Sequence, residues 1–176
     1  MKINKRRHET IRSSRPGALE LLEKPRNPIY VIANDIRSLY NVGSIFRSSD
    51  AAGIKKLFLT GISGYPPRKE ISKTAIGAED SVPWEYHKNV FPVLEYMKSE
   101  KIPIVALEHA NKSILYTKSL YRFPLCLIVG NEVEGISNDI LEYADFAVEI
   151  PMYGKKQSLN VSVAYGIMVF ELLKHF

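Results

Sequence analysis

The sequence contains one cysteine, Cys126, among its 176 residues, and it has no long apolar segment. A single thiol excludes an intrachain disulfide, and its apolar neighbours in residues 125–129 favour a small buried residue over a reactive nucleophile. No uninterrupted apolar run approaches the roughly 18 residues that a membrane span requires. The basic N-terminus also lacks the apolar stretch that follows the charged start of a secretory signal. We therefore expect a cytoplasmic protein that does not enter a membrane.

Two common kinds of ligand site are also missing from the sequence. The Gly-x-Gly-x-x-Gly pattern of dinucleotide-binding folds occurs nowhere, which disfavours a generic doubly wound nucleotide enzyme. The four histidines show no spacing typical of metal ligands, so no metal site is predicted.

Positive charge is concentrated at the N-terminus. The chain carries 24 basic and 19 acidic residues, a net charge of +5, and residues 1–28 hold eight of the basic and three of the acidic ones. The rest of the chain is therefore neutral overall. A basic segment of this kind is typical of arms that contact nucleic-acid phosphates, although a solvated tail explains the same composition. The sequence predicts an N-terminal arm over residues 1–28 and leaves these two roles open.

Short apolar runs alternate with segments of helical spacing through the remaining residues, 29–176. This alternation predicts one catalytic domain with an α/β fold, in which a parallel sheet is flanked by helices. The predicted strands cover residues 29–33, 56–60, 83–87, 102–107, 125–130 and 146–150. The predicted helices cover residues 17–23, 42–52, 90–100, 137–143 and the segment after residue 158.

The C-terminal helix is expected to begin at Ser158, whose hydroxyl suits the N-cap position. Asn160 would then lie in the first turn, and both side chains would face a helix N-terminus, which favours a negatively charged ligand group. A capped helix without a ligand fits the same residues. The helix carries apolar side chains on nearly all of its sides, so it must be buried on more than one side. A second subunit would bury it, and burial within one domain is the alternative.

A first candidate motif is Asn41-Val-Gly-Ser-Ile-Phe-Arg47. If Asn41 caps a helix, Gly43 lies one turn before Arg47 on the same face, and Arg47 would reach over the space left by the missing Cβ. A guanidinium, an open floor and a helix N-terminus together suit a phosphate. A surface ion pair between Arg47 and Asp50 explains the same residues equally well.

Two further motifs follow predicted strands. In Gly130-Asn-Glu132-Val-Glu-Gly135-Ile-Ser137, the glycines allow a tight turn that brings backbone amides close to a ligand at the carboxyl edge of the sheet. Its Glu132 could pair with a basic group or contact a cationic ligand. The third motif runs from Ile150-Pro-Met through Gly154 to Ser158-Leu-Asn160-Val-Ser-Val-Ala.

Together the three motifs are highly specific. The chain resembles the SpoU (TrmH) family of SPOUT-class RNA 2′-O-ribose methyltransferases over about residues 29–173, and residues 73–78 also look like the family's pattern. The resemblance implies S-adenosylmethionine as the methyl donor and a homodimer formed through the C-terminal helix. It also implies a deep trefoil knot in the C-terminal part of the sheet, which the general rules of chain connection would exclude.

The resemblance further implies which residues form the site. It places Asn41 and Arg47 at the acceptor ribose and phosphate, with Glu132, Ser158 and Asn160 as the other catalytic positions. The residues expected to hold S-adenosylmethionine are Leu107, Glu108, Gly130, Asn131, Glu132, Gly135, Ile150, Met152, Ser158 and Leu159. The residues expected to contact RNA are Arg47, Arg68, Lys69, Lys73, Lys155 and Lys156, each of which could equally be a solvated charge.

Two questions stay open: whether Arg47 acts as a base or as a charged group, and which RNA is the substrate. The family's proposed mechanism lets the counterpart of Arg47 take the proton, but arginine keeps its proton in proteins. We favour a charged Arg47 that binds the adjacent phosphate and stabilises the emerging alkoxide. We expect tRNA rather than rRNA because only 28 residues precede the first predicted strand, and a catalytically inactive dimer that only binds RNA is the alternative function.

Overall fold

A computed structural model describes residues 3–7, 9–10 and 24–176, and these form a sheet flanked by helices. Its strands are β1 (Asn27–Asn34), β2 (Ile54–Thr60), β3 (Trp84–His87), β4 (Ile104–Leu107), β5 (Ile114–Leu115), β6 (Leu125–Val129) and β7 (Phe146–Glu149). Its helices are α1 (Leu39–Ala52), α2 (Lys69–Ala75), α3 (Ala78–Ser81), α4 (Phe91–Ser99), α5 (Asn138–Leu141) and α6 (Val161–Leu172), followed by a 3₁₀ turn (Leu173–His175).

The strands lie in the order β3–β2–β1–β6–β4–β7–β5, and every neighbouring pair is parallel. This confirms the predicted α/β class. Parallel strands end at a common edge, so the loops that follow β4, β6 and β7 meet there. The sequence missed β5, because two residues are too short to show a period of their own.

Each face of the sheet carries its own hydrophobic core. On one face, α1, α2 and α6 pack against alternate residues of β1, β2 and β6. On the other face, α4 and α5 pack against β1, β4 and β6. The helices α1 and α6 also share a buried hydrogen bond of 2.7 Å between the hydroxyls of Ser49 and Tyr165. Complete burial raises the pKa of Tyr165, so this phenol stays protonated.

Helix α1 begins three residues earlier than the motif suggested. Ser38 is its N-cap and accepts a hydrogen bond from the backbone N–H of Asn41 at 3.3 Å. The prediction that Asn41 caps the helix is therefore wrong, and Asn41 lies buried in the first turn. The predicted end is confirmed, because Gly53 adopts the left-handed conformation with φ of 59° at the C-cap.

The space beside Gly43 is filled rather than open. A Cβ at Gly43 would lie 2.1 Å from the hydroxyl oxygen of Thr74 and 2.3 Å from the carbonyl oxygen of Ile71, both in α2. The hydroxyl of Thr74 donates to the carbonyl of Tyr40, which fastens α2 against α1. The prediction of an open space beneath Arg47 is therefore wrong. Gly43 instead allows α1 and α2 to approach each other closely.

Helix α6 is capped by Asn160 and not by Ser158. The Asn160 side chain accepts hydrogen bonds from the backbone N–H of Ser162 at 2.9 Å and from its hydroxyl at 2.7 Å. One side of α6 packs on the core, whereas Val163, Ile167 and Phe170 on the other side are 50%, 36% and 48% exposed. The chain by itself therefore leaves an apolar side of this helix open.

The start of the sheet also differs from the predicted boundary. Because β1 begins at Asn27, the last two residues of the predicted arm belong to the sheet. Arg26 donates to the carbonyls of Ser81 at 2.5 Å and Ile54 at 3.4 Å, which ties the end of the arm to the domain. The helix predicted over residues 17–23 lies outside the described residues. In the part of the chain that is described, no helix has the length and apolar character to cross a membrane.

Candidate active site

A cavity of about 200 Å³ lies at the carboxyl ends of β4, β6 and β7. Three chain segments line it: residues 107–109, residues 129–135, and residues from 149 to the first turns of α6. The structure brings together here all ten residues expected to hold the methyl donor: Leu107, Glu108, Gly130, Asn131, Glu132, Gly135, Ile150, Met152, Ser158 and Leu159. Their binding of that molecule stays a prediction.

The lining of the cavity is acidic. Glu108, Glu132, Glu134 and Glu149 line it, and among the described residues no lysine or arginine does so. Apolar side chains complete the wall. Such a lining suits a ligand with positive charge and disfavours one whose phosphates would need basic partners.

Glu132 joins the second motif to the start of α1. One carboxylate oxygen accepts from the backbone N–H of Arg37 at 2.9 Å, and the other accepts from the N–H of Ser38 at 3.0 Å and the amide of Asn41 at 2.9 Å. Partial burial raises the pKa of Glu132, but these hydrogen bonds outweigh burial and hold the pKa below its usual value. Within the described residues the partners of Glu132 are N–H groups of uncharged amides and not a basic group, and contact with a cationic ligand stays a prediction.

Asn41 extends this network to the third motif. Its side-chain oxygen accepts from the amide of Asn160 at 3.0 Å, while its own amide donates to Glu132. Asn160 in turn caps α6 through its oxygen. The chain Glu132–Asn41–Asn160 therefore connects all three motifs, and Asn41 and Asn160 act on the site's geometry through their hydrogen bonds.

The turn of the second motif is braced by Glu108. The carboxylate of Glu108 accepts from the backbone N–H of Ile136 at 2.8 Å and from that of His109 at 2.9 Å. Gly135 has φ of 69°, and a Cβ there would lie 2.3 Å from this carboxylate. At Gly130 a Cβ would lie 2.5 Å from the carbonyl oxygen of Gly135. Neither position leaves room for a side chain, so both glycines are required.

Sequence reasoning missed a polar cluster at the rim of the cavity. The carboxylate of Glu149 accepts from the hydroxyl of Ser113 at 2.5 Å and lies 3.4 Å from the Nδ1 atom of His109. The hydrogen bond from Ser113 is the main cause that lowers the pKa of Glu149. Only one signal could have pointed to these residues, namely that Glu149 and His109 stand at or just after the ends of neighbouring strands.

Arg47 lies apart from this network. It is exposed on α1, six residues after Asn41, which places it about 9 Å further along the axis and on another side of the helix. The surface pair with Asp50 is not formed among the described residues; the Asp50 carboxylate instead accepts from the hydroxyl of Ser81 at 2.5 Å. Within the described part of the chain, Arg47 forms no hydrogen bond or ion pair, and it does not line the cavity. The structure of one chain therefore does not bring Arg47 to Ser158.

The other residues expected to contact RNA are all exposed. Arg68, Lys69 and Lys73 lie at the start and within α2, close to α1, and Lys155 and Lys156 lie in the loop between β7 and α6. Among the residues described, no three or more His, Cys, Asp or Glu side chains are grouped so that they could hold a metal ion.

The fold and the cavity define an α/β protein with a ligand site built from three loops, and comparison with known proteins gives the family. A model of the SpoU rRNA Methylase family matches residues 28–170. The chain belongs to this family.

Named relatives and a solved structure agree with this assignment. A tRNA (guanosine(18)-2′-O)-methyltransferase of Aquifex aeolicus is 36% identical over 152 residues, 86% of this chain and 72% of that protein. The 23S rRNA (guanosine-2′-O-)-methyltransferase RlmB of Shewanella oneidensis is 32% identical over 155 residues, 88% of this chain and 63% of that protein. The AdoMet-bound rRNA methyltransferase from Sinorhizobium meliloti superimposes with a TM-score of 0.80 at 28% identity, over 89% of this chain and 60% of that one. The chain thus spans under two thirds of the last two.

Proposed function

We propose that this protein transfers a methyl group from S-adenosylmethionine to a ribose 2′-hydroxyl of RNA. The observation that carries the proposal is the acidic cavity lined by the second and third motifs, to which Asn41 of the first motif is joined through its hydrogen bond to Glu132. Relatives are named for tRNA and for 23S rRNA, so RNA is the substrate class and both RNAs are candidates. We test tRNA first because the tRNA-methylating relative is matched over more of its length. We place the protein in the cytoplasm with its substrate.

The cavity residues suit the proposed donor. Bound S-adenosylmethionine carries a positively charged sulfonium and supplies the methyl group. The carboxylates of Glu108, Glu132 and Glu149 favour this positive charge, while Ile150 and Met152 offer apolar contact. The protein's task is then to hold donor and acceptor in line and to stabilise charge that grows on the 2′-oxygen.

We assign that second task to Arg47 in its charged form. A guanidinium binds a phosphate and a nearby oxyanion at once, and its planar set of donors is specific for such groups. Its exposed position, with no described partner, leaves these donors available to RNA. Because Arg47 does not line the cavity of its own chain, we infer that it acts at the cavity of a second subunit.

The homodimer is part of the same proposal. The apolar side of α6, formed by Val163, Ile167 and Phe170, continues from the region where α6 packs on α1, and Arg47 stands on α1. A partner that covers this side would bury the apolar surface and approach Arg47 together. Membership of the family supports a trefoil knot as well, formed by the segment that leads from β7 to α6.

The first experiment separates the donor from other nucleotides. Titration calorimetry with S-adenosylmethionine, NAD and ATP is expected to show binding of S-adenosylmethionine alone. Incubation with methyl-labelled donor and either tRNA or 23S rRNA is then expected to label RNA at 2′-hydroxyls. Donor binding without labelling of either RNA would favour the inactive RNA-binding dimer, and binding of ATP or NAD would refute the proposed donor.

The second experiment tests Arg47. Replacement of Arg47 by lysine keeps the charge and removes the fork of donors, so kcat should fall by about 10²-fold. Arg122→Lys is the matched control, since Arg122 is also exposed and lies outside the site. Near-normal turnover of Arg47→Lys with normal RNA affinity would refute a specific role for the guanidinium.

The third experiment tests the dimer by analytical ultracentrifugation. Phe170→Lys should convert dimer to monomer, because a charge would be buried in an apolar interface. Ile62→Lys is the control, since Ile62 is 63% exposed and belongs to the loop after β2 rather than to α6. A wild-type monomer, or a dimer that tolerates Phe170→Lys, would contradict the proposed interface.

A further inference from the structure

A second groove, of about 610 Å³, lies between α4 and the strands β1, β2 and β3. The strand registers pair Tyr30 with Lys56 and Phe58 with Glu85, and His87 stands two residues beyond Glu85 on β3. Helix α4 covers this face of the sheet over β1, β4 and β6. Towards β3 the groove reaches the surface, where Glu85 is exposed and His87 is half-buried.

Aromatic rings form the floor and one wall of the groove. The rings of Tyr30 and Phe58 are nearly parallel, at 22°, with their centroids 6.5 Å apart, and the His87 ring lies 5.9 Å from Phe58. Phe58 itself is only 3% exposed, so it supports its neighbours. Tyr96 of α4 is 47% exposed at the opposite wall. The groove therefore offers ring surfaces from Tyr30, His87 and Tyr96 to a flat ligand.

The groove is basic. Arg26, Lys55 and Lys56 line it, against one carboxylate, Glu85. Lys56 pairs with Glu85 at 2.5 Å and lies 5.3 Å above the ring centre of Phe58, so its charge is held in place. Lys55 is exposed, and it forms no ion pair with the residues that the structure describes. This leaves positive charge in excess beside the aromatic floor.

The basic N-terminal arm meets the domain at this groove. Arg26, the last basic residue before β1, lines the groove and is fixed by its bonds to the carbonyls of Ser81 and Ile54. The preceding part of the sequence holds most of the arm's positive charge. The basic segment therefore joins the domain at a residue that lines the groove.

We propose that this groove binds an unpaired nucleotide of the RNA substrate, with its base stacked on Tyr96 and Tyr30 and its phosphate at Lys55. Open sheet faces that carry aromatic and basic side chains bind single-stranded RNA in this way, and stacking of this kind tolerates any base. The groove shares no residue with the acidic cavity, so it is a second contact with the RNA. The inference rests on the proposed function, because it takes RNA as the substrate.

The probe is a fluorescein-labelled 12-nucleotide oligouridylate, whose binding to the full chain is followed by anisotropy. Tyr96→Leu keeps an apolar side chain and a good helix former but removes the ring, and it should weaken binding by about fivefold or more. Tyr96→Phe keeps the ring and should restore binding to within about twofold.

The charge of the groove is tested in parallel. Lys55→Glu should weaken binding and reduce the slope of log affinity against log salt by about one. Lys118→Glu makes the same change in charge next to β5, at the far edge of the sheet, and should leave the slope unchanged. Irradiation of an oligouridylate that carries 5-iodouridine should crosslink Tyr96 or Tyr30, identified by peptide mass spectrometry.

The outcomes separate the groove from the proposed function. With the RNA that the wild type methylates, Tyr96→Leu should raise KM for RNA and leave kcat and S-adenosylmethionine affinity unchanged. Suppose that the wild type methylates RNA. If Tyr96→Leu then binds and methylates RNA as well as the wild type, or if crosslinks form only outside the groove, the groove proposal is wrong and the proposed function stands. Equal competition by an oligoglutamate peptide of the same charge would also overturn it, by showing attraction without base stacking. A wild type that neither binds nor methylates RNA would overturn both.

Discussion

Replacement of Glu132 by glutamine tests whether this carboxylate holds the site together. Glu132 accepts three hydrogen bonds, from the backbone N–H groups of Arg37 and Ser38 and from the amide of Asn41. A glutamine has one oxygen and one NH₂ group, so in either orientation the NH₂ faces an N–H donor. At least one bond is lost, and an N–H donor is left without its acceptor in the protein.

The expected cost follows from these contacts. A hydrogen bond to a charged group contributes about 1.5–3 kcal/mol, and a carboxylate at a helix N-terminus adds roughly 0.3–1 kcal/mol. Because Glu132 is only partly buried, solvent screens its charge and we take the low end, about 2 kcal/mol of unfolding free energy. With an urea m-value in the usual range for small proteins, the unfolding midpoint should fall by about 1 M.

Urea unfolding at pH 7, followed by circular dichroism, measures this loss. Glu134→Gln removes the same charge two residues away, where the side chain is exposed, and should change the free energy of unfolding by no more than about 0.5 kcal/mol.

Because the folded pKa of Glu132 is lowered, its contribution to the free energy of unfolding is present above the ordinary carboxyl pKa and is lost as pH falls through the folded pKa. The difference between wild type and Glu132→Gln should therefore shrink below about pH 4. Equal midpoints for the two glutamine variants at pH 7 would refute the reasoning.

Three shorter predictions test other parts of the structure. Gly43→Ala should lower the free energy of unfolding by about 1–3 kcal/mol because its Cβ would meet α2, whereas Gly154→Ala, with nothing within 4 Å, should not; equal thermal midpoints would contradict this close approach. Asn160→Ala should cost about 1 kcal/mol in urea unfolding and Ser158→Ala almost nothing, which a reversed order would contradict. Removal of residues 1–23 should flatten the salt dependence of RNA binding, and an unchanged slope would show that the arm does not contact phosphates.

The sequence predicts the strands well and the helix caps badly, and the two results have different physical causes. Strands such as β2 and β6 are buried on both faces, so their apolar runs are local and visible. At the start of α1, both Ser38 and Asn41 are good caps by type. The choice between them depends on distant residues: Glu132, 94 residues from Ser38, accepts from the backbone N–H of Ser38, and Asn160 takes the side-chain oxygen of Asn41 that a cap would need.

The same limit applies to the site. The second and third motifs predict residues that line the cavity, because each follows a strand and the strand ends share an edge. They do not predict that Gly43 seats α2 or that Arg47 lies outside the cavity, since both depend on how helices pack against each other. The sequence shows that Gly43 lacks a side chain, but it does not show which neighbour occupies the space; in the fold that neighbour is α2.

The hydrogen bonds that build the site also decide how its variants should be interpreted. Asn41 is bonded to residues 91 and 119 positions away, so removing its side chain, or those of Glu132 or Asn160, loosens contacts between distant parts of the fold. Loss of methylation in such a variant does not by itself identify a residue that touches the substrate, unless stability and S-adenosylmethionine affinity are retained. Arg47 and Ser158 are exposed, and within the described residues their side chains form no hydrogen bonds, so the activity of their variants is a direct test of the contacts that we propose for them with RNA and donor.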